Sequence, residues 1–170
     1  MRAHTFTVIA LAAALSSVVL LAAEQSPLAT LLTDLKGWTA EPATSMTMDA
    51  AGESMTTASR SYNKDSADFS ATVVVSKGAY AQSKIIAMKF ESAGIKVQVT
   101  TIDGFTVQTT YTSDDKSGAL IVVLDKNDTT QRGALLTFAF NGMTDTEALA
   151  LAKQFNWKKL QAVAQALGAK

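Results

Sequence analysis

The sequence contains no cysteine, and its one histidine, His4, lies near the N-terminus. No disulfide can stabilise the fold, so the hydrophobic core must do so. Beyond His4 the chain also lacks the residues for a Ser-His-Asp or Cys-His nucleophile system, and for a zinc site built on imidazole or thiolate. We therefore expect no enzymatic activity and no cofactor. A hydrolase that uses carboxylates alone is the enzymatic alternative.

An excess of charge of either sign is also missing. The 170 residues include 15 basic and 15 acidic side chains, and they contain no phosphate-binding loop. Nucleic acids and anionic membrane surfaces attract basic patches, which this composition does not provide. The expected partner is therefore an envelope or extracellular protein or a small ligand, and not a nucleic acid.

The longest apolar run is at the N-terminus, where Arg2 precedes 19 uninterrupted apolar or small residues, 5–23. This pattern is typical of a secretory signal, so we predict a signal peptide over 1–23 and one α+β domain over 24–170. The run is close to the roughly 20 residues that span a bilayer, so an uncleaved anchor is the alternative. In both cases the domain is expected to be periplasmic or secreted, and an uncleaved 5–23 segment would tether it to the membrane.

Residue periodicity predicts three strands between two helices in the first half of the domain. Leucines at helical spacing after Ser26 and Pro27 predict a helix over 27–36. Alternating Thr, Val, Met and aromatic residues predict strands over 44–50, 54–62 and 67–76. A second helix is predicted over 79–92, with Ile85 on its apolar face.

The second half of the domain reads as a second meander followed by helices. Asp103 and Gly104 form the strongest hairpin signal, between two alternating runs. Four strands are predicted, over 95–102, 105–112, 119–124 and 134–140. Thr144 and Glu147 form a capping-box pattern that begins a C-terminal pair of helices, with a kink near Asn156.

These elements follow the order α-βββ-α-ββββ-αα. They predict an α+β fold with a single antiparallel sheet of about six to seven strands, in two meanders covered by helices. Gly37 and Trp38 at the entry to the first strand, the strand-helix-strand passage 73–97 and the strand-to-helix run 138–155 give a layout that resembles PsbP/Mog1-like domains. The resemblance implies a non-catalytic binding or assembly protein, since known members act as partners of larger complexes. It assigns no function to individual residues.

The segment 124–133, LDKNDTTQRG, begins like a calcium loop but lacks the glycine and glutamate of the EF-hand pattern. Alternate turns of a meander lie at the same end of a sheet, so Asp103 is expected near Asp125 and Asp128. These three carboxylates are the candidate calcium ligands. The alternative is that they form hairpin turns, for which Asp, Asn and Gly are the usual residues.

Three methionines are candidate copper ligands. Met46 and Met48 are two residues apart in one predicted strand, and Met55 follows across a predicted hairpin. Thioethers are soft ligands that suit Cu(I). The alternative is that these side chains fill the core on one face of the sheet.

Four further side chains are candidates for contact with a ligand or partner. Arg60 and Tyr62 alternate with Met55 and Thr57 in a predicted strand, where they belong either to an outward polar face or to a ligand groove. Trp38 and Trp157 lie beside predicted helix ends, where a tryptophan either lines a pocket or anchors packing.

Together these patterns favour an exported binding or accessory protein without catalytic activity, involved in binding or assembly. The alternative is a periplasmic metal-binding protein that uses the methionines for Cu(I) or the turn carboxylates for calcium. Both hypotheses predict exposed binding groups, which only a structure can locate.

Overall fold

The computed structural model describes residues 26–50, 53–86, 90–92 and 95–169. The segment 1–23, predicted to be a signal peptide or an anchor, lies outside these residues. Within the described residues, no helix is both long and apolar enough to cross a membrane.

Nine strands and four helices make up the described part of the chain. The strands are β1 (Thr39–Ala40), β2 (Thr44–Ala50), β3 (Glu53–Lys64), β4 (Ala67–Ser76), β5 (Phe90–Ser92), β6 (Ile95–Ile102), β7 (Phe105–Thr112), β8 (Ser117–Asn127) and β9 (Arg132–Asn141). The helices are α1 (Pro27–Thr30), α2 (Lys77–Ile85), α3 (Asp145–Ala152) and α4 (Trp157–Gly168). All the strands belong to one antiparallel sheet, so the predicted α+β fold is confirmed.

The pairing of β4 with β9 joins the two predicted meanders into one sheet. The strand order is β1-β3-β4-β9-β8-β7-β6-β5, and β2 also pairs with β3. Because β1 and β2 pair with successive parts of the long β3, they share one edge of the sheet. The sequence pattern missed β1 and β5, which have 2 and 3 residues and are too short to show an alternation.

The first helix is shorter than the predicted 27–36. It is a single turn capped by Ser26, and Leu31 already has the geometry of a C-cap. The carbonyl of Leu32 accepts a hydrogen bond from the Arg60 side chain, which takes the place of a helical N–H donor. The apolar spacing correctly located a buried segment, since Leu32 is buried, but the helix in this segment ends earlier than the spacing predicts.

The second predicted helix, 79–92, was too long. α2 ends at Ile85, and Phe90–Ser92 form β5 at the far edge of the sheet. The predicted apolar face was wrong at Ile85, which is 65% exposed, whereas Ile86, expected beside that face, is buried together with Ala79. The helix begins earlier than expected, with Ser76 as its N-cap, and this start determines which residues meet the sheet.

The main hydrophobic core lies between one face of the sheet and the helices α1, α3 and α4. The rings of Phe69, Phe138 and Phe155 pack there with centroids between 5.1 and 6.4 Å apart. The Tyr62 ring is edge-on to Phe155 at 6.0 Å. Full burial of such a side chain stabilises a fold by roughly 1.5–3 kcal/mol, so this aromatic cluster is a major source of stability.

The opposite face of the sheet is covered by α2 at one end. Ala79 packs there with Leu135 and against Val74. Gly133 on β9 allows the close approach, because a Cβ at that position would lie 2.7 Å from the Cα of Tyr80. In the described part of the chain the other helices pack on the opposite side, so the second end of this face carries no helix.

Candidate functional site

The end of this sheet face that no described helix covers consists of small and mostly polar side chains at matching positions on adjacent strands. One row of directly paired residues runs across five strands and contains Ser61, Ser70, Ala139, Ala119 and Thr110. A second row, two residues nearer to α2, contains Ser59, Thr72 and Thr137. We call these eight residues the open face, and all of them are at least partly exposed.

A groove of about 400 Å³ lies at the end of the open face that is farther from α2. The side chains that line it on this face are those of Ser61, Asn63, Asp68, Ser70, Ala139 and Asn141. Asn63, Asp68 and Asn141 are directly paired on β3, β4 and β9, so they extend the open face to the end of the sheet. The groove therefore offers hydroxyl and amide groups and the carboxylate of Asp68, and Glu41 borders it as well.

The hydroxyl groups of the open face are largely free to contact other molecules. Among the described residues, no side-chain hydrogen bond involves the hydroxyls of Ser61, Thr72 or Thr137. Ser59 differs, because its Oγ lies 3.1 Å from the hydroxyl of Thr44. A free surface hydroxyl bonds to water, which a polar ligand can replace with little loss of hydrogen bonding.

Large apolar side chains are exposed on the same side of the sheet. Met46 and Met48 on β2 are 52% and 46% exposed, and Ile95 on β6 is 42% exposed. Their strand partners place them on the face against which α2 packs. Exposed apolar side chains thus lie near both edges of the polar open face. Exposed apolar surface beside polar residues is typical of interaction sites.

The structure brings the three candidate copper ligands together at the surface. Met48 pairs directly with Met55, and Met46 lies two residues along β2 on the same face. The alternative of core filling is wrong for Met46 and Met48, because about half of each side chain is exposed. Met55 is partly exposed.

The three candidate calcium ligands do not form a shared site. No group of three or more Asp, Glu, His or Cys side chains within the described ranges is arranged to hold a metal ion. Asp125 accepts a hydrogen bond from Gln165 Nε2 at 2.9 Å, and Asp128 accepts one from the Tyr80 hydroxyl at 2.7 Å. The Tyr80 bond lowers the pKa of Asp128. Asp103 has a positive φ of 51° in the β6–β7 turn, so each carboxylate has a separate local role.

Arg60 holds the segment before β2 against the sheet and does not line a ligand groove. Its Nε donates to the carbonyl of Glu41 at 2.9 Å, and its Nη1 donates to the carbonyl of Leu32 at 2.6 Å. Its Nη2 is 2.5 Å from Oδ1 of Asp34. With every nitrogen of the guanidinium engaged in this way, Arg60 is a structural residue.

Tyr62 has a similar structural role. Its side chain is fully buried, and its hydroxyl donates to the carbonyl of Thr33 at 2.8 Å. Burial raises the pKa of Tyr62 from 10.0 to about 12, and the positive charge of Arg60 offsets part of this increase. Tyr62 borders the polar groove at the end of the sheet, but its side chain is buried and its hydroxyl is bonded to the Thr33 carbonyl.

Both tryptophans anchor packing and border surface cavities. Trp157 is buried edge-on to Phe105, and its Nε1 donates to the carbonyl of Ala152 at 2.8 Å. It borders a cavity of about 510 Å³ between the β6–β7 turn and the junction of α3 and α4. Trp38 packs on Phe69 and borders a separate cavity of about 450 Å³. The two rings therefore belong to different places in the fold.

The sequence interpretation missed the open face, although a signal for it was present. Ser70 and Thr72 alternate with buried Ala71 and Val73 in β4, a pattern typical of a strand with one solvated face. On β9, Leu135 is buried beneath α2, whereas Ala139 and Asn141 on the same face are exposed. How far a crossing helix extends over a sheet is a tertiary property that strand periodicity does not contain.

No family model, curated protein or solved structure matches this chain. The resemblance to PsbP/Mog1-like domains stays an interpretation of the order of the elements. A function must therefore be argued from the exposed groups of the fold itself.

Proposed function

We propose that this protein is an exported, non-catalytic binding or assembly protein that contacts its partner through the open face. The partner is an envelope or extracellular protein or a small ligand that presents polar groups. The observation that carries this proposal is that, among the described residues, α2 packs on one end of this sheet face, and free hydroxyls with a polar groove occupy the other.

The chemistry of the groove supports binding and not catalysis. Among the described residues no histidine is available as a base for Ser61 and Ser70, because the one histidine of the chain, His4, lies outside them. The groove combines donors and acceptors from Asn63 and Asn141 with the negative charge of Asp68. This set of groups favours neutral polar or positively charged ligands over anions.

In-cell photocrosslinking tests this proposal. A photoreactive amino acid replaces Ala139, which is exposed on the open face. The full-length chain is produced in cells that export it, irradiated and examined as intact protein by mass spectrometry. We expect a discrete adduct of a protein or small molecule at position 139, because this exposed residue lines the groove.

Ala166 provides the matched control, since it is an exposed alanine on α4, on the other side of the sheet. The same photoreactive residue at position 166 should not give the adduct that is obtained from position 139. An identical adduct pattern at both positions, or no adduct at position 139, would contradict the proposal.

Soft-metal binding is the second candidate function, because Met46, Met48 and Met55 lie together on one exposed face. This candidate uses residues outside the open face. It is therefore independent of the proposed partner contact and can be tested separately.

A further inference from the structure

The β2–β3 hairpin holds three thioethers at short range. Met48 and Met55 are directly opposite in the antiparallel pair, a relation that places Cβ atoms about 4.5–5.5 Å apart. Met46 is diagonal to Met55, at about 7–8 Å between Cα atoms. Because a methionine side chain has three rotatable bonds, the three sulfur atoms can converge above the strands.

Packing within the described fold does not explain why methionine occupies these positions. Met46 and Met48 are about half exposed, and their neighbours on the same face include Thr44 and Thr57. A threonine at either position would suit an exposed strand, because β-branched residues are favoured there. Met143 is different, since it is buried in the main core and contributes to packing. The exposed methionines therefore call for a role outside the core.

The charges near the hairpin are compatible with a cation. Glu53 lies two residues from Met55 on β3, so it points to the same face. Its carboxylate is 3.0 Å from Lys77 Nζ, and this ion pair leaves no excess of positive charge beside the thioethers. Thioether sulfur is a soft ligand that prefers Cu(I) to hard cations such as calcium or magnesium.

We propose that Met46, Met48 and Met55 form a surface binding site for a soft monovalent ion of the Cu(I) type. The three sulfur atoms supply a trigonal set of neutral ligands, and β2 and β3 fix their spacing. This site is separate from the open-face contact, so it adds a second binding activity to the proposed function.

Methyl NMR with Ag(I) tests the site directly. Ag(I) is a redox-inert soft ion of the same charge as Cu(I), and methionine methyl groups report on changes at sulfur. The protein is isolated in the form that the producing cell exports, and its methionine methyl groups are isotopically labelled. We expect the signals of Met46, Met48 and Met55 to shift together and to saturate at one equivalent of Ag(I), while the signal of buried Met143 stays unchanged.

Leucine variants separate metal binding from a hydrophobic contact. The triple variant M46L/M48L/M55L keeps the apolar volume but removes the three sulfur atoms, so it should lose Ag(I) binding in equilibrium dialysis. The matched control M143L removes a thioether from the core and should bind Ag(I) as the wild type does. Far-UV circular dichroism verifies that both variants are folded.

Several outcomes would overturn the metal site. These are the absence of methyl shifts at micromolar Ag(I), equal shifts at Met143, and retention of stoichiometric binding by the triple leucine variant. The open-face contact is tested apart from the metal site. If the triple variant binds no Ag(I) but still gives the crosslink from position 139, the open-face contact does not depend on the metal. If the wild type binds no Ag(I) and the leucine variant keeps a hydrophobic contact with a partner, the methionines serve protein contact and the metal site is overturned.

Discussion

At the scale of single residues, Tyr62 links the core to the chain before the first strand. Its ring packs among phenylalanines, and its hydroxyl donates to the carbonyl of Thr33. Ionising the phenol would place a negative charge in the core and remove the donor. This is why burial raises the pKa of Tyr62 to about 12.

Tyr62→Phe is expected to change the dependence of stability on pH. At pH 7 the variant should lose about 1 kcal/mol of unfolding free energy with the hydrogen bond. Separately from this hydrogen bond, the pKa of Tyr62 is raised from 10.0 to about 12 by folding, so the wild type loses stability between pH 10 and 12 through ionisation of the phenol and Tyr62→Phe does not. The loss amounts to about 2 to 3 kcal/mol. Urea unfolding across this range measures it as the difference between wild type and Tyr62→Phe.

Tyr111→Phe is the matched control, because Tyr111 is a partly buried tyrosine whose ring stacks on Phe140. This variant retains Tyr62 and should show the same alkaline loss of stability as the wild type. A difference between wild type and Tyr62→Phe that does not change from pH 9 to pH 12 would contradict the assignment.

The sequence predicted some residue positions but not their environments. Alternation correctly placed Met46 and Met48 on one face of a strand. It could not decide that this face is exposed, because both faces of a strand have the same period of two. Arg60 and Tyr62 were open to two interpretations, since their partners Leu32 and Thr33 are almost 30 residues away in the chain.

At the scale of elements, the contact between α2 and β9 determines how much of the sheet face is covered. Gly133 lies directly beneath Tyr80 of α2, and the Tyr80 hydroxyl also bonds to Asp128 in the β8–β9 loop. The helix is thus fixed to β9 by close backbone contact and to the loop before β9 by a hydrogen bond.

Gly133→Ala is expected to destabilise this contact. The added Cβ would lie 2.7 Å from Tyr80 Cα and 2.8 Å from Tyr80 N, so the helix backbone must move. Overpacking of this kind costs about 1–3 kcal/mol, measurable by urea unfolding. At Gly78 on α2 the added Cβ would lie 3.5 Å from Ser76 Oγ, so Gly78→Ala should be neutral or stabilising by up to about 1 kcal/mol. Equal stability of the Gly133 variant and the wild type would refute the close contact.

Local sequence signals predicted elements well where the chain has a strong cap or turn. The capping box of Thr144 and Glu147 and the turn at Asp103 and Gly104 both occur as expected. The helix predicted to continue to residue 92 instead gives way to a strand, because β5 gains hydrogen bonds from β6 that a local pattern cannot register.

At the scale of the whole molecule, the two faces of the sheet differ in how they are covered. In the part of the chain that the structure describes, α1, α3 and α4 pack on one face, whereas α2 covers one end of the other. The sequence predicted the single sheet and its covering helices, since these follow from periodicity and element order. It did not predict the distribution of helices between the faces, which depends on the pairing of β4 with β9 and on the path of α2.

Native mass spectrometry of Ala139→Arg tests the central claim that the open face binds a partner. The variant and the wild type are isolated without denaturant from cells that export them, alongside Ala166→Arg, which places the same charge on exposed α4. We predict that wild type and Ala166→Arg carry a bound protein or small molecule and that Ala139→Arg is free, because arginine at position 139 fills the groove. Retention of the same bound species by Ala139→Arg, or its absence from all three proteins, would contradict the account.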